Sequence, residues 1–138
     1  MALTIGVPLL LCGICLGLFA GIGGFAYLGY RLDKGDAVTA LTDYLNDIQA
    51  RNYPAAYDRL CAEAQTGVSR EQYAQRFRPP LPVSFRIGDV SMADRDAGSG
   101  YDIAVELRLD NGQTRTERYF VFSKDSNVDR YYVCPPGS

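Results

Sequence analysis

The chain has 138 residues, 14 Lys plus Arg against 16 Asp plus Glu, a formal net charge of −2, ten Tyr, six Phe and four Cys, with neither His nor Trp. That length suits one modest domain with an appendage. The evenly mixed charge offers no basic patch for nucleic acid, and the absence of His removes Ser-His-Asp hydrolysis.

From Ala2 to Tyr30 no side chain is charged, and every charge falls at Arg31 or beyond. A bilayer core takes roughly 20 apolar helical residues, so the pattern predicts a single transmembrane anchor over 1–31, long enough to tilt. Pro8 stands in the first turns, where a missing backbone donor costs little. Tyr27 and Tyr30, followed by Arg31 and Lys34, suit the far interface. The segment lacks the basic start of a secretory signal, and although Gly21-Ile22-Gly23 is a small-x-small site, an uncleaved anchor is the expectation. Gly13, Gly17 and Gly21 recur every four residues, with Gly24 close to the same face. Such spacing lets another helix approach closely, so the partner is a membrane subunit or a second copy. Cys12 and Cys15 form C-x-x-C inside this run and read as small apolar side chains.

Residues 32–35 read as a short linker, and 36–138 as an α+β domain. Asp36 is a candidate N-cap for a helix to about Arg51, with Ala37, Val38, Leu41, Tyr44, Leu45 and Ile48 on its apolar face. Pro54 opens a second helix that buries Ala55, Ala56, Tyr57, Leu60 and Cys61, and Gly67 ends that region. Ser69 with Gln72 forms a capping box, with Val68 and Tyr73 placed as a hydrophobic staple. A third helix then runs to about Arg78, where Pro79, Pro80 and Pro82 stop it.

The period then changes to two. Val83, Phe85 and Ile87 alternate with polar residues, and Gly88 marks a bulge or bend before Val90 and Met92. Residues 93–100 read as a polar loop. Tyr101, Ile103, Val105, Leu107 and Leu109 alternate cleanly, and Asn111-Gly112 signals a hairpin. A two-residue loop there pairs Asp110 with Gln113, Ile103 with Phe120 and Tyr101 with Phe122. The opposite face then sets Glu106 against Glu117 and Arg108 against Arg115, with the opposite charges paired diagonally. That face reads as solvated, or as a docking surface. The last strand is expected over Val128–Cys134. The fold class is therefore α+β: a transmembrane helix, then three helices on a curved, cone-like four-stranded antiparallel sheet.

Cys61 and Cys134 lie far from the anchor, and a bridge between them is geometrically plausible in such a layered fold. The alternative is two independent buried thiols. A bridge requires an oxidising compartment. It overrides Arg31 and Lys34, which by the positive-inside rule favour a cytoplasmic C-terminal side, and gives a cytoplasmic N-terminus with an extracytoplasmic domain in the plasma membrane.

The run from Leu45 to Cys61, the Ser69-Arg70-Glu71-Gln72-Tyr73 cap and the closing Tyr132-Val133-Cys134 resemble membrane- or lipid-anchored actinobacterial envelope proteins with a nuclear-transport-factor-like, or cystatin-like, cone domain. Tyr132 stands where that family often has Trp. The resemblance covers about 36–134. It implies an envelope location and a disulfide, and transfers no active site.

No phosphate loop follows a strand, and no ligand cluster has metal-site spacing, so neither metal nor cofactor is expected. Some cone-fold relatives move protons with a buried Asp and a Tyr. Asp58, Asp89 and Asp102 are the candidates here, and no spacing singles one out. The expectation is a non-enzymatic accessory or assembly subunit, docked by helix and outer domain onto a larger envelope complex. An actinobacterial respiratory supercomplex is one candidate host. The alternative is a module that binds a small hydrophobe in a cavity lined by Tyr44, Tyr57, Tyr73, Phe77, Phe85, Tyr101, Phe120 and Phe122, residues that ordinary core packing also explains. A cone-fold isomerase-like enzyme is the remaining alternative.

Overall fold

A computed structural model of the chain describes residues 33–124 and 130–138. The chain divides into two compact units, Met1–Asp33 and Lys34–Ser138. The expected anchor, its Gly13, Gly17, Gly21 and Gly24 stripe and the Cys12/Cys15 pair lie outside the described residues. Among the described residues, no helix is long and apolar enough to cross a membrane.

The second unit is α+β. Helix α1 covers 33–49, α2 Tyr53–Asp58, α3 Ala62–Gln65 and α4 Arg70–Gln75. Strands β1 (Pro82–Arg95), β2 (Gly98–Leu109), β3 (Thr114–Ser123) and β4 (Tyr131–Cys134) form one antiparallel sheet in the order β1-β2-β3-β4. Each strand pairs with its sequence neighbour, which needs only short connections.

Helix α1 is already formed at residue 33, so Asp36 is an exposed residue within it rather than its cap. The apolar face is as the 3.6 period places it: Ala37, Leu41, Tyr44, Leu45 and Ile48 are buried. The helix ends where Arg51 adopts φ 59°, with the Asn52 N–H donating to the Asp47 carbonyl and the Arg51 N–H to that of Ile48. These two bonds satisfy terminal carbonyls that would otherwise lack partners.

The expected second helix is broken in two. Arg59 caps the first piece in the helical region, and from Leu60 the chain leaves the helix and runs beside β4. The Val133 N–H donates to the Arg59 carbonyl and the Cys61 N–H to the Val133 carbonyl, each at 2.9 Å. Leu60 pairs in parallel with Val133, extending the sheet by one bridge. These long-range bonds outcompete a helical turn there. They also hold Cys61 against Cys134, and the disulfide forms with the two Cα atoms 5.3 Å apart. Helix α4 starts as the sequence indicates, with the reciprocal Ser69/Gln72 capping box in place.

The expected loop at 93–100 is instead a tight hairpin. Strand β1 continues to Arg95, which pairs with Gly98 across the two residues Asp96 and Ala97. Gly98 adopts φ 134°, and Gly100 lets β3 approach: a Cβ there would lie 2.7 Å from that of Phe122. Strand β1 shifts register between Ile87 and Val90, so Gly88 does mark a bulge.

The β2–β3 hairpin differs from expectation by one residue. The Leu109 N–H donates to the Gln113 carbonyl and the Gly112 N–H to the Leu109 carbonyl, enclosing Asp110-Asn111-Gly112. This is a three-residue loop whose last position, Gly112 at φ 83°, forms the bulge. Ile103 therefore faces Tyr119, Tyr101 faces Val121, Val105 faces Glu117 and Leu107 faces Arg115. A one-residue slip exchanges the faces of a strand. Tyr119 and Val121 join the inner face with Tyr101, Ile103, Val105, Leu107 and Leu109, while Phe120 and Phe122 move to the outer one. The expected Glu106/Glu117 and Arg108/Arg115 contacts do not exist; Thr116 and Thr114 stand opposite Glu106 and Arg108.

Candidate functional site

A pocket of about 510 Å³ opens between the helices and the inner face of the sheet, within the size range of small-molecule sites. Tyr44, Leu45 and Ile48 of α1, Ala64 of α3 and Tyr73 of α4 line it from the helices. Phe85, Leu107 and Tyr119 line it from the sheet, and Phe77, Leu81 and the segment Pro135–Ser138 are among its other lining residues, as are the polar Gln49, Thr66 and Ser84. The charged side chains in the lining are Arg76, Arg78, Arg115, Glu63 and Glu117.

The aromatic lining is held by ring contacts. The Tyr44 and Tyr119 centroids lie 6.0 Å apart and join α1 to β3. Tyr73 packs edge-on to Phe77 at 5.1 Å, and Phe77 stacks on Tyr53 at 4.4 Å. Such pairs favour offset and edge-on geometries.

Polar atoms converge on this wall. The Tyr44 and Tyr73 hydroxyls are 2.6 Å apart in a buried hydrogen bond. The Tyr119 hydroxyl donates to Glu117 Oε2 at 2.6 Å, and Arg115 Nε bonds the other carboxylate oxygen at 2.7 Å. Burial pushes the Tyr73 phenol up to about 12, against the pull of the Tyr44 hydrogen bond and the Arg76 charge. Burial also raises Tyr44, aided by the neighbouring Tyr73 and Tyr119. Tyr119 is raised by burial and then by the Glu117 carboxylate. All three therefore stay protonated at neutral pH; Tyr119 donates to Glu117, and one of Tyr44 and Tyr73 donates to the other.

Of the residues expected to line a cavity, Tyr44, Tyr73, Phe77 and Phe85 do so. Tyr57 does not; its hydroxyl donates to the Val68 carbonyl at 2.6 Å and its ring packs against Tyr73. Tyr101 is buried in the core of β2. Phe120 and Phe122 stack at 5.4 Å on the outer face, with the Arg95 guanidinium 4.7 Å above the Phe120 ring. The sequence reading missed Arg76, Arg78, Arg115, Glu117 and Tyr119. Arg115 and Glu117 were assigned to the wrong face by the hairpin register, and Tyr119 was not assigned at all. A signal was present: Tyr119 and Val121 alternate as regularly as Phe120 and Phe122.

The carboxylates weighed for proton transfer lie elsewhere. Asp58 is exposed and pairs with Arg70, Asp89 is exposed on β1, and Asp102 pairs with Arg95 at 2.5 Å on the outer face. None of the three lines the pocket, and among the described residues no charged side chain is buried. Cys61, Glu63 and Cys134 place three ligand-type atoms within 4.8 Å of one another. The disulfide occupies both sulfurs, and a metal needs free thiolates.

Compared with known protein families, characterised proteins and solved structures, the chain finds no match.

Proposed function

We propose that this protein is a single-pass, membrane-anchored envelope module whose extracytoplasmic α+β domain binds a small, largely apolar molecule in the pocket between its helices and sheet. The observation that carries the reading is the pocket itself. Half-buried Phe77, Leu81 and Phe85 supply apolar wall, the buried Tyr44, Leu45, Ile48, Tyr73 and Leu107 back it, and polar and charged groups make up the larger part of the exposed lining. That combination is what distinguishes a ligand site from an ordinary packing defect. The charge-free run over residues 2–30 supports the anchor. The disulfide supports an oxidising compartment, and with it a cytoplasmic N-terminus. The likeness to actinobacterial cone-domain envelope proteins agrees with this location.

A second reading is favoured by one separate observation. Gly13, Gly17 and Gly21, spaced four apart in the apolar run, suit a helix packed against another membrane subunit. In that reading the chain is a non-enzymatic accessory subunit of a larger envelope complex, the respiratory supercomplex being one host. The two readings are compatible, since anchor and pocket are separate parts.

Gentle detergent extraction followed by native mass spectrometry tests both. The binding reading expects the full chain to carry a small molecule released on activation, and the accessory reading expects co-purifying membrane subunits. A bare chain with neither would overturn both.

A further inference from the structure

We infer that β1 is the pairing edge for a second copy of this chain. Two β1 strands join antiparallel about a two-fold axis between Ile87 and Gly88, so that Phe85 of each meets Val90 of the other and Arg86 meets Asp89. Strand β1 is the open edge of the sheet, whereas the far edge at β4 is closed in part by Leu60. No residue of this 14-residue strand is buried. Among the described residues the exposed large apolar side chains are Val83, at 44%, and Met92, at 66%, and both stand on β1. A long edge of unpaired N–H and C=O groups that also carries apolar side chains is a template for another strand.

The bulge decides which strand fits. Phe85, Ile87, Val90 and Met92 lie opposite Leu107, Val105, Ile103 and Tyr101. All four therefore share the inner face and the same phase of outward-pointing backbone groups. In a strand without a bulge, positions 85 and 90 would point to opposite faces, and no two-fold pairing could set them together. The extra residue between Ile87 and Val90 brings them into phase. Pairing Ile87 with Gly88 across the axis then sets Phe85 against Val90 on the inner face. It sets Ser84 against Ser91 on the outer face, where they already lie opposite Arg108 and Asp102 of β2. Gly88 has no side chain, so its facing Ile87 leaves room for the two bulges to meet. Arg86 comes opposite Asp89 twice, once on each side of the axis. Arg86 bonds Glu106 at 3.2 Å and stays exposed, and Asp89 has no partner among the described residues. Val83 of each copy comes opposite Met92 of the other, which covers both exposed apolar side chains. One register thus matches charge with charge and apolar with apolar, as a self-complementary two-fold interface requires.

The test uses the full chain in detergent, with Cys12 and Cys15 replaced by Ala, and introduces Ser84→Cys together with Ser91→Cys. Both serines are exposed, so the fold should survive the change. Under mild oxidation the double variant should cross-link into a dimer on a non-reducing gel. Each single variant should stay monomeric there, because equivalent serines of the two copies lie about 23 Å apart in this register. Light scattering of the native chain should show a dimer, and Asp89→Arg, which sets like charges opposite Arg86, should weaken it about tenfold. A native chain that is monomeric at every concentration would overturn the proposal. So would single variants that cross-link as well as the double one, or a dimer that neither the cysteine pair captures nor Asp89→Arg weakens.

Discussion

Three phenols, those of Tyr44, Tyr73 and Tyr119, are held above the ordinary tyrosine value, chiefly by burial. In the unfolded chain each titrates near pH 10. Below that pH the phenol is neutral in both states and folding stability does not depend on it. Between pH 10 and the folded value, about 12 for Tyr73, the unfolded chain has lost a proton that the folded one keeps. Stability therefore falls as pH rises through this window, by up to about 1.4 kcal/mol per pH unit for each tyrosine. A spectrophotometric titration of tyrosinate, run beside urea melts, should show these phenols ionising only as the domain unfolds. If all ten tyrosines ionise together near pH 10 with the fold intact, the buried cluster does not exist as described. Single residues were legible in the sequence where a local rule acts, as in the Ser69/Gln72 capping box and the buried stripe of α1. Arg76, Arg78 and Glu117 were not, because the role of an exposed-looking charge is set by the wall opposite it.

At the scale of elements, the strands were legible and their register was not. Asn111-Gly112 does mark the turn, but the loop takes three residues, with the bulge at Gly112. Both faces of β3 carry aromatic or aliphatic residues, so the hydrophobic pattern alone fixed no register. The broken second helix was equally hidden. Its apolar positions satisfy a helical period, and only the distant β4 strand draws Leu60 and Cys61 out of it into pairing. That junction is also where the disulfide sits, closing a loop with a sequence separation of 73. In the chain-entropy account such a loop contributes about 4 kcal/mol. Replacing Cys61 and Cys134 with Ser should lower the urea stability of the domain by roughly that amount, and dithiothreitol should have the same effect on the native chain. A midpoint unmoved by either change would show that the hydrogen bonds of Arg59 and Cys61 to Val133 hold the edge unaided.

At the scale of the whole molecule, the chain joins a charge-free apolar run to an α+β domain with a half-open pocket between its helices and sheet. A core of buried Ile103, Val105, Val121 and Val133 supports the sheet. Toward the β2–β3 hairpin the inner face gives way to Arg115, Glu117 and the pocket. In the binding reading proposed above, the open pocket costs stability that a bound molecule offsets. Ala64, on α3, lines this space with a small side chain, so Ala64→Phe should fill part of it. The measurement that bears most directly on the account is the yield of small molecule released from equal amounts of purified native chain and this variant. The native chain should release a stoichiometric apolar compound, while Ala64→Phe releases none and, stripped of ligand, melts at least as high as the stripped native protein. Equal release from both, or a variant that melts far lower because the space was already full, would contradict the claim that this domain is built around a binding pocket.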